Sequence, residues 1–387
     1  MLIEIKKLKI ILKKYLAKNL KIVTLGPYPP FRGGISDFHK SIVKQLKINN
    51  DVTVINFKSL YPSILFPGKS QVTNHNNSYK SARILNPINL FSWIKSIKIL
   101  KDYNPDVVFI SYWHPFFAPM YNFIIKRILS RKIYLLLHNV ISHQSLPFEK
   151  FFMKKVLSHK NCKYIVMNSS DRKKALKINE TLNLIDNFHP IYNQDFNSND
   201  REIFRTELSL TENNVILFFG LIRPHKGLDI LIDAISLIKN DIKNLKVLII
   251  GEAYEDMTKY SRKIESLNLS DLFVFNQSFV EEKNISKYFL SSDLVVLPYK
   301  SSTQSGVLSL AMNFNKPVIV SSEGGLKDYV EDEKTGFISL PKAVEFANKI
   351  KKYFNSEIKN QMEQNIKERK KSFSWSSFEE RLNIYDE

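Results

Sequence analysis

Short apolar runs alternate with longer stretches in which apolar residues recur every three or four positions, and the alternation persists along almost the whole chain. A short continuous run suits a strand buried on both faces, whereas the spaced pattern suits a helix that shows one side to a core. In the first half the runs predict strands near Lys21 to Leu25, Val52 to Phe57, Asp106 to Ser111, Ile133 to Leu137 and Tyr164 to Met167. In the second half they fall near Val215 to Phe219, Lys246 to Ile250, Phe273 to Phe275, Leu294 to Leu297 and Pro317 to Val320. Strands that alternate with helices imply parallel sheets covered on both faces, so the fold class is α/β with two separate doubly wound sheets. The polar stretch Asn193 to Asp200 has little to bury and marks the linker, with a first domain over 1–194 and a second that begins at 201.

Length agrees with that division, because 387 residues exceed what one ordinary core organises. Lys and Arg number 57 against 38 Asp and Glu, a formal net charge of +19, so anionic partners are favoured: nucleic acid, an anionic membrane face or a phosphorylated substrate. The lysines are spread throughout and no nucleic-acid recognition motif occurs, which argues against nucleic acid. One cysteine, Cys162, excludes an internal disulfide framework and agrees with a reducing compartment. No run approaches about eighteen uncharged apolar residues, so no transmembrane helix is expected. The opening segment interleaves lysines with apolar residues and lacks the clean apolar centre of a signal peptide. Ile5, Leu8, Leu12, Tyr15 and Leu16 would share a helical face, so residues 1–18 can lie on an anionic bilayer, dock on their own protein or fray. The expected location is cytoplasmic, with peripheral attachment to the inner face of the cytoplasmic membrane through that segment.

The stretch NVILFFGLIRPHKGLDILIDAISLI, Asn214 to Ile238, narrows the chemistry. A strand runs into Gly220, a turn carries Arg223 and Lys226, and an apolar-periodic helix opens after Gly227. Parallel strands present ligand sites at their carboxyl edge, so two fixed cations there ask for an anion, most economically a diphosphate. A second junction, after Leu294 to Leu297, has a hydroxyl-rich turn from Ser301 to Ser305 followed by a helix from Gly306. Ser302, Thr303 and Ser305 can cap that helix while its first amides stay available to a ligand.

Only 11 glycines occur, and most fall at strand ends or helix starts. Gly33 and Gly34 precede a helix after the first strand, where free amides and the positive dipole end suit a phosphate. Two further strand ends carry rings: Trp113 with His114, and His138 followed by His143. Aromatic faces stack on sugar rings, and imidazoles bond hydroxyls or shuttle protons. There is no HExxH, no CxxC and no evident acidic cluster, so no metal site is expected.

Together these segments resemble retaining glycosyltransferases of the GT-B architecture, similar to the large family 4 of nucleotide-sugar-dependent enzymes, over nearly the whole chain. The family's glycine-rich loop matches Gly33 and Gly34, and its FG(x)R(x)nKG turn matches Phe219, Gly220, Arg223, Lys226 and Gly227. Pro317 to Ile338 is similar to the family's distal PVI…GG…E…G pattern, with Asp328 where Glu is usual. The tail FSWSSFEERLNIYDE resembles the closing helix that returns to the first domain, which bounds the second domain at 370 and assigns 371–387 to that helix. One departure is plain: where the family carries two glutamates eight positions apart, this chain has Ser302 and Leu310.

The resemblance implies two Rossmann-like domains facing a central cleft, and a sugar moved from a nucleoside diphosphate sugar, a co-substrate rather than a cofactor, to a glycan or lipid-linked acceptor. It implies retention, no required metal, and a place in cell-surface polysaccharide biosynthesis. Arg223, Lys226 and His138 would be catalytic; Gly33, Gly34, Gly220, Ser302, Gln304, Ser305, Gly306 and Val307 would bind donor; Trp113 and His114 would bind acceptor. Gln304, Ser305 and the backbone of Gly306 and Val307 would replace the missing carboxylates by neutral hydrogen bonds. A nucleotide-sugar isomerase or a non-catalytic nucleotide-sugar-binding protein of the same fold is a second reading, and a basic nucleic-acid-binding protein a third.

Overall fold

The computed structural model describes residues 19–61, 72, 81–128, 131–141, 149–191, 196–302 and 304–385. The chain forms two units. The first comprises the described residues up to Met167, then Asp171–Phe188 and the described residues from Trp375 onward; the second comprises Asn168–Ser170 and His189–Ser374. The change of unit at Phe188 precedes the polar stretch that begins at Asn193, because Ile191 already donates its amide to the Phe373 carbonyl of the second unit, at 3.0 Å. Residues 1–18, His143, Thr303 and 193–195 of the polar stretch lie outside the described residues.

The first unit carries a seven-stranded sheet of β1 (Lys21–Leu25), β2 (Asp51–Phe57), β3 (Ala82–Leu85), β4 (Val107–Tyr112), β5 (Lys132–Leu137), β6 (Cys162–Val166) and β7 (Leu184–Asp186). All pairs are parallel in the order β3-β2-β1-β4-β5-β6-β7. The second unit carries β8 (Asn214–Phe219), β9 (Leu245–Ile250), β10 (Phe273–Asn276), β11 (Leu294–Leu297), β12 (Val318–Ser321) and β13 (Gly336–Ser339), parallel in the order β10-β9-β8-β11-β12-β13. In each sheet the order reverses once, between β1 and β4 and between β8 and β11, so each unit is doubly wound with one switch point where loops part to opposite faces.

The central strands are nearly all buried, as β4 (VVFISY) and β11 (LVVL) show, which is why their apolar runs are uninterrupted. Three strands have no such run: β3 (ARIL), β7 (LID) and β13 (GFIS). Each is an edge strand with one neighbour, and β3 and β7 are largely half-exposed, so burial did not constrain their side chains. No helix among the described residues is long and apolar enough to cross a membrane.

Helix Gly34–Leu46 packs Phe38, Ile42, Val43 and Leu46 inward and brings His39 with them. His39 is fully buried, its Nδ1 lies 3.0 Å from the Pro27 carbonyl, and a Cβ at Gly26 would sit 2.5 Å from that nitrogen. Gly26 is therefore glycine because the imidazole occupies the space. At the other end of the chain, helix Trp375–Leu382 belongs to the same unit: Gln45 Nε2 donates to Glu379 at 2.7 Å, Asn187 Nδ2 donates to the Phe378 carbonyl at 3.0 Å, and the Trp375 ring lies 5.1 Å from Phe38.

Burial pushes the His39 pKa down to about 4, against the raising effect of its bond to Pro27. A histidine held neutral in the fold binds its proton only in the unfolded chain over this window, so its contribution to stability is present above about 6.5 and is lost as pH falls toward about 4. The loss over that whole window is roughly 3 kcal/mol. His39→Gln should lower the thermal midpoint at neutral pH and give a shallower decline between about pH 6.5 and pH 5 than the parent chain; equal slopes would remove His39 from the acid response.

Candidate functional site

In the second unit the two central strands at the switch point, β8 and β11, each end in one of the loops singled out from sequence. After Phe219 the chain turns at Gly220, with φ of 94°, a left-handed conformation that favours glycine. Arg223 precedes a short turn over Pro224–Lys226, and Gly227 follows with φ of 71°. A Cβ at Gly227 would stand 2.0 Å from the Pro298 carbonyl oxygen, just past the end of β11. The Lys300 amide donates to the His225 carbonyl at 2.8 Å, so the whole turn is seated on Pro298 to Lys300.

That seating fixes the cations. The Lys226 ammonium lies 5.2 Å from the centre of the Tyr299 ring, and the Arg223 guanidinium carbon lies 5.0 Å from the centre of Tyr254, beyond β9. Among the described residues neither cation has a carboxylate partner, whereas the neighbouring Lys300 is paired with Asp229 at 2.7 Å. A Cβ at Gly220 would meet Val307 Cγ2 at 3.1 Å and Lys226 Nζ at 3.3 Å, which places the ammonium beside the first turn of helix Gly306–Asn313. Ser305 is the N-cap of that helix, its hydroxyl accepts from the Leu308 amide, and it lies 3.3 Å from the Tyr299 hydroxyl.

Lys226, Gly220, Ser305, Gly306 and Val307 are thus gathered around one point, where a cation, a helix dipole and backbone amides act on the same small volume. Arg223 is exposed and lies over Tyr254, on the β9 side of the turn. Ser302 is buried; its carbonyl accepts from the Gly325 amide at 3.2 Å, and its hydroxyl has no hydrogen-bond partner among the described residues. Gln304 is half-buried in the same turn. Leu310 faces the core at 9% exposure, so that position offers the site nothing polar.

In the first unit Gly33, Gly34, Trp113 and His114 come after the switch-point strands β1 and β4, and His138 after β5. Gly33 and Gly34 are exposed with open space where side chains would go, and no side chain caps the helix they begin. His138 follows β5, is buried, donates its amide to the Tyr112 carbonyl at 2.8 Å and packs edge-on against Phe38 at 5.1 Å. His114 is half-buried and accepts the Phe116 amide on Nδ1 at 3.1 Å; burial lowers its pKa, with Glu149 opposing. Trp113 is 7% exposed, packed against Phe57 and Phe117, with its indole N–H donating to the Tyr61 hydroxyl at 2.9 Å. Its ring is a core element, so its faces serve packing rather than an acceptor sugar.

Three contributors escaped sequence reasoning: His39, Tyr254 and Tyr299. Tyr299 stands directly after the Leu297-Pro298 strand end, and that position was the available signal. Among the described residues no group of three His, Cys, Asp or Glu side chains converges on a metal site.

Comparison with known proteins fits this geometry. The crystal structure of HepE from Anabaena with UDP and glucose superposes with a TM-score of 0.73 at 18% identity, covering 94% of this chain and 98% of that one. Two parallel-sheet Rossmann-like domains of this kind define the GT-B architecture. Residues 199–373 match the family Glycosyl transferases group 1. An uncharacterized glycosyltransferase of Methanocaldococcus jannaschii is 29% identical over 189 residues, 46% of this chain and 49% of that protein. The GDP-mannose:glycolipid 4-beta-D-mannosyltransferase of Xanthomonas campestris pv. campestris is 32% identical over 121 residues, 31% of this chain and 34% of that enzyme. The chain spans about half the length, or less, of these curated relatives.

Gly227→Ala combines a left-handed φ with a Cβ on top of a carbonyl oxygen, and nothing flexible can yield. It should destabilise the second unit by roughly 2 to 4 kcal/mol in denaturant unfolding, more than Gly220→Ala, whose Cβ meets only the ends of two side chains. A cost for Gly227→Ala no larger than for Gly220→Ala would show that the turn is not seated as described.

Proposed function

We propose that the chain is a glycosyltransferase that moves a sugar from a nucleoside diphosphate sugar to a glycan or lipid-linked acceptor, with retention as in family 4, in building cell-surface polysaccharide. The observation that carries the reading is the placement of the Lys226 ammonium beside Gly220 and the first turn of helix Gly306–Asn313. In this reading the diphosphate occupies that point. As the glycosidic bond breaks, negative charge grows on the leaving phosphate, and prepositioned cations and amides stabilise that state more than the ground state. Lys226 and Arg223 supply the positive charge, so no divalent metal takes part.

His138 contacts donor or acceptor from the first unit, Gly33 and Gly34 offer backbone amides, and His114 meets the acceptor. The relatives' names support the substrate class: one is a GDP-mannose:glycolipid mannosyltransferase, and HepE was crystallised with UDP-glucose. The carboxylates missing at Ser302 and Leu310 leave the donor's hydroxyls to Gln304, Ser305 and the amides of Gly306 and Val307. The chain acts in the cytoplasm, at the inner face of the cytoplasmic membrane.

Thermal stabilisation by a panel of UDP-, GDP- and dTDP-sugars should single out one base, since a ligand at about 100 times its dissociation constant stabilises by roughly 2.7 kcal/mol. With that donor, Lys226→Ala should lower kcat/KM by about ten- to a hundredfold, the value of one charge-assisted hydrogen bond. Tyr299→Phe, which keeps the ring under Lys226, should lose less than Tyr299→Ala. An unchanged rate in folded Lys226→Ala would remove the diphosphate from this point, and donor turnover without release of a nucleoside diphosphate would replace transfer by isomerisation.

A further inference from the structure

The first unit exposes apolar side chains where its fold has no use for them. Ile88 is 68% exposed, Leu90 48%, Phe91 83% and Ile94 51%, all within one turn-and-helix segment at the start of helix Leu90–Tyr103. The same helix already buries Ile97 and Leu100 against the core, so its opening turns are apolar on both sides. Asn89 caps the helix by accepting from the Phe91 and Ser92 amides, which fixes the exposed residues on a rigid element rather than a frayed end.

Cations adjoin this tip. Lys95 and Lys98 follow on the same outward face, and neither has a carboxylate partner among the described residues. Arg127, just past the end of the adjoining helix Ala118–Ile125, stacks on Phe123 with its guanidinium carbon 3.4 Å from the ring centre, and Phe123 in turn packs on half-buried Trp93 at 5.4 Å. Helix Glu149–Val156 packs on the other side of Ala118–Ile125 and adds exposed Phe151, 52% accessible, flanked by exposed Lys150, Lys154 and Lys155. Asp102 is the one carboxylate on helix Leu90–Tyr103, and Glu149 is buried.

We infer that this layer of three helices is a docking surface for an anionic lipid bilayer, with Ile88, Leu90, Phe91 and Ile94 entering the interface and Lys95, Lys98 and Arg127 meeting lipid phosphates. Charge complementarity decides for lipid: an apolar tip flanked by cations matches an acyl boundary beneath an anionic headgroup layer. None of its residues belongs to the opening segment 1–18 or is assigned to the transfer reaction. Vesicle binding is read without any turnover, so failure of the transferase reading leaves the inference standing.

The test is sedimentation of the full chain with vesicles of phosphatidylcholine containing about 30% phosphatidylglycerol, against phosphatidylcholine alone. Binding is expected only to the anionic vesicles and should weaken with salt, as screening requires. Phe91→Ser/Ile94→Ser and, separately, Lys95→Gln/Lys98→Gln should each weaken partition by at least about tenfold while circular dichroism and the thermal midpoint stay unchanged. Phe91→Trp should be quenched by brominated lipid. The inference is overturned if both double variants bind vesicles like the parent, if only deletion of residues 2–18 abolishes binding, or if Phe91→Ser/Ile94→Ser alters oligomeric state and leaves vesicle binding intact.

Discussion

The second unit depends on one close approach of backbone to backbone: Gly227 against the Pro298 carbonyl. The turn Pro224–Lys226 starts at the end of β8 and could point in many directions, but contact with the chain leaving β11 leaves it one seat. Lys226 then comes to rest over Tyr299, and Tyr299 reaches the N-cap of the next helix. A long flexible lysine ordinarily loses considerable rotamer entropy when it is fixed. Here aromatic contact with Tyr299 narrows its range before any ligand arrives, which is what preorganised electrostatics requires.

The charge around that point is one-sided. Lys226 and Arg223 keep their charge unpaired among the described residues, while Lys300 is bound to Asp229 and does not compete for the same anion. With Ser302 held by Gly325 and Leu310 in the core, neither position supplies a carboxylate. On the proposed reading, phosphate would supply affinity at such a site and neutral contacts to sugar hydroxyls would supply discrimination.

The central strands of both sheets were legible because burial on two faces leaves a continuous apolar run, as in VVLP of β11. The edge strands β3, β7 and β13 were not, since one-sided pairing tolerates Arg83, Asp186 and Ser339. In the site, Arg223, Lys226, Gly220 and Ser305 could be read because glycine and charge at a strand end have few other uses. Trp113 could not be separated from a surface ring, because a sequence does not say which aromatic fills the core. Tyr299 and His39 escaped for a related reason: their importance lies in what they touch, Lys226 in one case and the space left by Gly26 in the other.

The first unit is assembled from both ends of the polypeptide, since Trp375 packs on Phe38 and Glu379 bonds Gln45. On the ribosome this sets a sequence of events: residues 189–374 can emerge and close their own sheet while the earlier unit still waits for its last helix. The first unit is therefore completed after the second, and the face of its helix around Phe38 stays bare until Trp375 and Phe378 have emerged.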